Sequence, residues 1–385
     1  MPSHKSQFRS ELHKFFKNFI RRTGWLLNNL TLKRALNFFL ACGHFLLRSR
    51  VLRSLPVIVK IDISPICNIQ CVVCVHAKPG EDEKLKDQVF KSDQKMKVEQ
   101  FRHIIDELKE ETCAVSLYHL GDPFIHPDLD EMCLIAKEAG LNVHISSNFS
   151  FKFSDERIAS IVNSGTTHLT VCVDGLSQEK YERTRVGGKI DLVLSNLASI
   201  CNYKREHSLT YPIIEVQYLK FQHNVDELEK AYEIFESLGV DKVTDFWGHL
   251  HTYVDLDPER TTVYGPMKNK LIARCFWPYF SMLIKYDGEV LPCCMHRMGD
   301  AYAKSQNLPI MGNVFQTPIR ELWNSHAYQQ SRRMVTNPQS VNSDPELKDN
   351  FCNDCRIIFD TNVNEILKEG HQFTVEESFS HQTES

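Results

Sequence analysis

The sequence predicts an α/β protein built on a parallel sheet, an open or partial barrel of six β/α units. Two observations carry this expectation. Between residues 57 and 247, six short β-rich runs alternate with helical runs, the pattern of a parallel β/α architecture. Polar or glycine-bearing segments follow four of those runs, where such folds keep their chemistry. Six units are too few for a standard eight-fold barrel. The composition, 42% hydrophobic and 24% charged, is that of a folded globular chain and excludes wholesale disorder.

The elements follow in order. The run VIVKIDIS (57–64) is the first strand, and 97–111 a helix with Val98, Phe101, Ile104, Ile105 and Leu108 on one face. AVSLYHL (114–120) is followed by a helix at 128–139 ended by Gly140. NVHIS (142–146) leads to a helix at 154–165 with Ser154 as its N-cap. THLTVCV (167–173), a helix around 190–203, IIEVQYL (213–219), a helix at 225–238 ended by Gly239, and DKVTDFW (241–247) complete the alternation.

After residue 248 the pattern breaks. SMLIKYDGEVLPC reads as a β-hairpin turning at Asp287-Gly288. A helix is expected near 318–334, then CNDC at 352–355 and a polar tail. The expected division is 1–54 as a basic helical extension, 55–247 as the partial barrel, 248–365 as a second cysteine-bearing domain and 366–385 as a flexible tail.

Charge is unevenly spread. Residues 1–54 hold eleven Lys/Arg and one acid, Glu11, whereas the remainder carries a net −14. Phe15, Phe16, Phe19, Ile20, Leu26 and Leu27 interleave with Lys14, Lys17, Arg21 and Arg22. Such an amphipathic helix suits an anionic membrane surface or packing on the protein body or a second subunit. The bulky apolar residues among the cations, and the acidic remainder, argue against nucleic acid. The apolar run 35–47, with His44 inside it, is too short to span a bilayer. Thirteen cysteines without a secretory signal point to a reducing cytoplasm, where clustered thiols read first as metal ligands.

Cys67, Cys71 and Cys74 fall directly after the first strand with C-x3-C-x2-C spacing. Three thiolates on one loop suit a [4Fe–4S] cluster with one iron open to another ligand, while spacing alone also allows zinc or structural thiols. Cys275, Cys293, Cys352 and Cys355 form a second set, able to close a [4Fe–4S] cluster fully or to hold a structural zinc. Cys294, next along the strand, is expected to point the other way. Cys42, Cys113, Cys133, Cys172 and Cys201 read as small hydrophobes.

These residues carry a resemblance. CNIQCVVC after a first strand resembles the signature of the radical S-adenosylmethionine (radical SAM) superfamily, so the fold becomes a partial (β/α)6 radical SAM barrel. The resemblance implies that Cys67, Cys71 and Cys74 hold a cluster whose open iron is chelated by SAM. Reductive cleavage of SAM then yields a 5′-deoxyadenosyl radical that takes hydrogen from substrate. LGDPFIHPDL resembles the family's Gly-Gly-Glu-Pro segment, implying SAM contacts at Gly121 and Asp122, with Asp where the family has Glu. ISSNFS resembles its Thr-Asn-Gly segment at Ser147 and Asn148. The loop DGLSQEKYERTRVGG implies Asp174 and Arg185, the latter meeting the SAM carboxylate. Val73 stands where an aromatic residue is frequent. The second cysteine set, with MGNVFQTPIRELWNSHAYQQ, is similar to the SPASM or shortened twitch domains that carry auxiliary clusters, and four or five cysteines imply one auxiliary [4Fe–4S] cluster.

By the same resemblance, the expected reaction is oxidation or epimerisation of a sugar, aminocyclitol or other small polar metabolite, with a flavodoxin or ferredoxin as electron donor. His251 is the candidate base and Arg260 a charged positioning residue, among the polar residues Asp245, His249, Asp255 and Glu259 that precede Cys275. Peptide maturation competes with this reading, although residues 1–54 show no strand pattern from which to build a leader-binding winged helix. A non-catalytic iron–sulfur or zinc protein is the third reading.

Overall fold

The computed structural model describes residues 28–72, 74, 76, 91, 93–221, 223–247, 275–294, 309–353, 355 and 358. The Phe15–Leu27 stretch, Val73, the polar tail and the candidates His249, His251, Asp255, Glu259 and Arg260 lie outside the described residues.

Helix α1 (Leu32–Leu46) precedes the first strand, β1 (Ile58–Ile61). The alternation then runs α2 (Val98–Leu108), β2 (Ala114–Ser116), α3 (Leu129–Glu138), β3 (Asn142–Ser147), α4 (Asp155–Asn163) and β4 (His168–Val173). It continues with α5 (Gln178–Thr184), α6 (Ile190–Glu206), β5 (Ile213–Lys220), α7 (Leu228–Ser237) and β6 (Lys242–Trp247). Local rules set the boundaries. Ser154 accepts a hydrogen bond from the Arg157 amide, as an N-cap should. Gly140 and Gly239 take positive φ where α3 and α7 stop.

All six strands pair in parallel with their neighbours. The side chains alternate between two faces. Val59, Ile61, Val115, Val143, Ile145, Leu169, Val171, Ile214 and Val216 are sealed against the helices, with Phe101, Leu108, Met132, Ile161, Leu197 and Phe235 opposite them. Emptying one of these positions, as Phe101→Ala would, costs about 3–5 kcal/mol. The other face carries Lys60, Ser116, His144, Ser146, Thr170, Cys172, Glu215 and Thr244, in matching register across neighbouring strands. That polar inner face is the lumen of the partial barrel.

The structure differs from the sequence expectation in three places. First, the sheet does not end at β1. After α8 (Trp277–Phe280), strand β7 (Ser281–Ile284) pairs in parallel with β1, Ile58 opposite Ser281, and β8 (Val290–Leu291) returns antiparallel. The expected hairpin thus extends the barrel sheet to eight strands and covers an edge that would otherwise be open. Second, the loop after β4 contains α5, capped by Ser177. Third, the helix expected at 318–334 is two helices, α9 (Ile319–Leu322) and α10 (His326–Thr336), because Ser325 caps the second by accepting from the Tyr328 amide.

Arg332 joins the C-terminal unit to the rest. Fully buried, it donates to the carbonyls of Pro278, Trp323 and Arg50 and lies over the Trp323 ring. Burial lowers its pKa to about 10, and three carbonyls satisfy a cation beside which no carboxylate lies among the described residues.

Candidate active site and cluster centres

The first cysteine loop lies across the carboxyl ends of β1 to β4. It is docked by backbone contacts. The Gln70 amide donates to the Val186 carbonyl at 2.8 Å and the Val72 amide to the Thr184 carbonyl at 3.0 Å. Asn68 Nδ2 donates to the Ser150 carbonyl at 2.9 Å, and the Asp122 amide donates to the Ile66 carbonyl at 2.8 Å. Gly121 is required by contact. A Cβ there would stand 2.1 Å from the Ser64 carbonyl oxygen and 2.4 Å from that of Ile66.

Four sequence-predicted residues meet at this loop. Asp122, 3% exposed, accepts from Ser147 Oγ at 2.8 Å, the Asn148 amide at 2.8 Å, Asn148 Nδ2 at 2.7 Å and the Phe124 amide at 3.1 Å. Both its oxygens are engaged within the fold. Burial nevertheless pushes its carboxyl up to about 6. Asn148 continues the chain of contacts, donating to Asn68 Oδ1 at 2.9 Å and to Cys67 Sγ at 3.7 Å. The shorter Asp at position 122 therefore positions the cysteine loop from below.

Arg185 and Asp174 form a bidentate pair, Nε to Oδ2 at 2.6 Å and Nη2 to Oδ1 at 3.2 Å. Thr184 Oγ1 also donates to Asp174 at 3.3 Å. Burial opposes the Arg185 charge, but Asp174 and the neighbouring thiols of Cys71 and Cys172 outweigh it and hold the guanidinium well above its ordinary pKa. Burial pushes the Cys71 thiol up to about 12, with Arg185 acting against that rise. It raises Cys67 as well, with Asp122, Cys71 and Cys74 adding to the effect.

These residues fit an iron–sulfur cluster. Three thiols close enough to repel one another as thiolates, beside a fixed cation, favour a positively charged metal centre. Among the described residues no three His, Cys, Asp or Glu side chains close on a single-ion site.

The second set lies at the far edge of the sheet. Cys293, Cys352 and Cys355 are buried and Cys275 is half-buried. Burial and then the neighbouring Cys275 and Cys355 raise the Cys352 thiol, while burial pushes Cys275 up to about 12. The Cys352 amide donates to Asn350 Oδ1 at 3.0 Å, and Asn350 is itself tied to α10 through Ser331 and the Ala327 carbonyl.

Sequence reasoning missed the lumen. Lys60 of β1 has its Nζ 4.3 Å from the Tyr118 ring centre, with Cys294 beside it. Cys294, expected to point away from Cys293, reaches this lysine. Tyr118 and His168 each pack edge-on to His144, with ring centres 5.1 Å apart. His144 Nε2 and Thr170 Oγ1 lie 2.9 Å apart. The expectation that Cys172 is a buried hydrophobe is corrected. It lies on the lumen face, 3.6 Å from Ser146 Oγ and near Arg185. The available signal was a lysine alternating with apolar residues in VIVKIDIS, which marks a polar inner face. Asp245, the one described member of the polar group before Cys275, is paired with Lys220 at 2.6 Å and Tyr232 at 2.7 Å.

Comparison with known proteins agrees with this geometry. Residues 61–218 match the radical SAM superfamily and residues 275–356 match SPASM, an iron–sulfur cluster-binding domain. The chain is 20% identical over 310 residues to the AdoMet-dependent heme synthase of Methanosarcina barkeri, covering 70% of this chain and 82% of that protein. It is 25% identical over 177 residues to Fe-coproporphyrin III synthase of the same organism, covering 46% of this chain and 39% of that protein. In fold it is similar to Streptococcus suis SuiB bound to S-adenosylmethionine, with a TM-score of 0.54 at 14% identity, over 83% of this chain and 79% of that one. The two matched domains imply SAM, its [4Fe–4S] cluster and an auxiliary [4Fe–4S] cluster as cofactors. With the two cysteine sets falling one in each matched segment, the chain belongs to the radical SAM superfamily and carries a C-terminal SPASM domain.

Proposed function

We propose that the protein is a radical SAM oxidoreductase that removes hydrogen from a small polar metabolite bearing an anionic group. When bound, SAM and its cluster supply a hydrogen-abstracting radical, and the auxiliary cluster an acceptor for the electron left on the substrate. The chain's own residues do the rest. Cys67, Cys71 and Cys74 would hold the first cluster, and Cys275, Cys293, Cys352 and Cys355 the second. Gly121, Asp122, Ser147 and Asn148 hold the cysteine loop in place, and Arg185, fixed by Asp174, offers a cation at the SAM position.

The observation that carries the substrate class is Lys60. It is a lumen ammonium whose partners are the Tyr118 ring and phenol and the Cys294 thiol, with no carboxylate among the described residues. The ammonium is half-buried, the Tyr118 phenol and Cys294 thiol favour its charged form against burial, and a substrate carboxylate or phosphate would add a full counter-charge. The tetrapyrrole-synthase names of two relatives support a small-molecule substrate over a peptide. His251 and Arg260 remain the proposed base and positioning residue, a flavodoxin or ferredoxin the proposed donor, and the cytoplasm, at the inner face of the membrane, the proposed location.

Deuterium transfer into 5′-deoxyadenosine tests this reading. Carbinol-deuterated sugar or cyclitol acids and phosphates should transfer label where their neutral counterparts do not. Lys60→Met should raise KM for the anionic substrate about tenfold or more. Equal transfer from neutral analogues, or an unchanged KM, would remove the anionic-substrate assignment.

A further inference from the structure

Helix α1 buries two polar side chains and packs Phe38 and Phe45 on Tyr279 and Phe280, while its other large apolar residues face outward. Arg34, Asn37 and Ala41 are its buried residues. Arg34 donates to the Lys109 carbonyl at 2.7 Å and the Ala139 carbonyl at 3.0 Å, the C-caps of α2 and α3, and also to the Gly140 carbonyl. A cation there meets the negative ends of two helices. Asn37 donates to the carbonyls of Leu55 and Glu111 and accepts from the Leu55 amide. The helix is therefore anchored by these hydrogen bonds together with the Phe38 and Phe45 ring contacts.

Its apolar side faces out. Leu32, Leu36, Phe39, Leu40, Leu46 and Leu47 are between 45 and 79% exposed, at spacings that place them along one side of the helix. A helix of a soluble protein has the opposite arrangement, and a contiguous apolar patch of this kind marks a docking surface. Among the described residues no helix is long and apolar enough to cross a membrane.

We propose that this face of α1 docks on an anionic bilayer, its leucines and Phe39 entering the acyl boundary and Arg48, Arg50 and Arg53 meeting the headgroups. This rests on the peripheral location proposed above and names the surface that provides it. The charge distribution favours lipid over a second copy of the chain. Residues 1–54 carry ten net positive charges against fourteen net negative in the remainder, so a dimer through α1 would bring two basic segments together. An anionic surface attracts that segment and holds the acidic body away.

The test is flotation of the full-length reconstituted protein with phosphatidylcholine–phosphatidylglycerol vesicles, compared with phosphatidylcholine alone. The wild type should float with the anionic vesicles, less so as salt is raised. Phe39→Glu/Leu40→Glu should weaken that binding by about tenfold or more, with iron content unchanged. The milder Leu36→Ser/Leu40→Ser guards against a folding defect. Equal flotation of wild type and variants would keep the membrane location but overturn the assignment to α1. No flotation of the wild type would overturn both, and a dimer that the variants convert to monomer would name a second copy as the occupant. None of these outcomes bears on the deuterium-transfer result.

Discussion

Asn148 Nδ2 lies 3.7 Å from Cys67 Sγ while also bonding Asp122 Oδ2 at 2.7 Å, so one amide links the residue after β3 to a cluster thiol. A hydrogen bond to a ligating sulfur stabilises the more negative, reduced cluster. Asn148→Ala is therefore expected to lower the midpoint potential of the SAM-binding cluster, on the order of tens of millivolts, and to leave the auxiliary cluster unshifted. Redox titration followed by electron paramagnetic resonance reads both. An unchanged potential would show that this contact is only structural.

Asp122 gives a pH dependence. Its folded carboxyl sits at about 6 because it is buried, above the unfolded value of about 4. The folded state then binds the proton more tightly than the unfolded chain. The contribution to stability is present below pH of about 4 and is lost as pH rises to about 6, at most ~3 kcal/mol. Thermal melts of the iron-free protein should fall across that window in the wild type and more shallowly in Asp122→Asn. Parallel curves would contradict the burial account.

Gly121→Ala forces a methyl group against two backbone carbonyls of the cysteine loop. Neither can move as a side-chain tip can, so a cost of about 1–3 kcal/mol and displacement of the loop are expected. Iron bound at Cys67, Cys71 and Cys74 should fall, while the auxiliary cluster's signal persists. Full iron content with native stability would show that the loop rearranges freely.

Cys352 lies outside the radical site, held by Asn350 and α10. Cys352→Ala should remove the auxiliary cluster, about half the iron, yet retain uncoupled SAM cleavage. Loss of both clusters would instead make the C-terminal unit necessary for the first site, a mechanical link that the β1–β7 pairing offers.

Much of the barrel is legible in the sequence because apolar runs of four to eight residues, bounded by capping residues, specify parallel strands locally. Ser154, Gly140 and Gly239 fall at their expected boundaries. The pairing of Ser281 with Ile58 is not legible, since no local pattern says which edge a distant strand joins. The same limit hides Lys60 and Cys172, whose neighbours come from other strands. Cys67, Cys71 and Cys74 are readable because one loop carries all three. The outward apolar face of α1 could not be read because two of the helix's anchors, the Lys109 and Ala139 carbonyls, are backbone groups.

The most direct measurement is anaerobic reconstitution of the full-length wild type and a Cys67→Ala/Cys71→Ala/Cys74→Ala variant, with iron, sulfide and 5′-deoxyadenosine measured together. The account predicts about eight iron and eight sulfide per wild-type chain, falling to about four of each in the variant, with SAM cleavage only in the wild type. Zinc in place of iron at the C-terminal set, or SAM cleavage that survives loss of the three thiols, would contradict it.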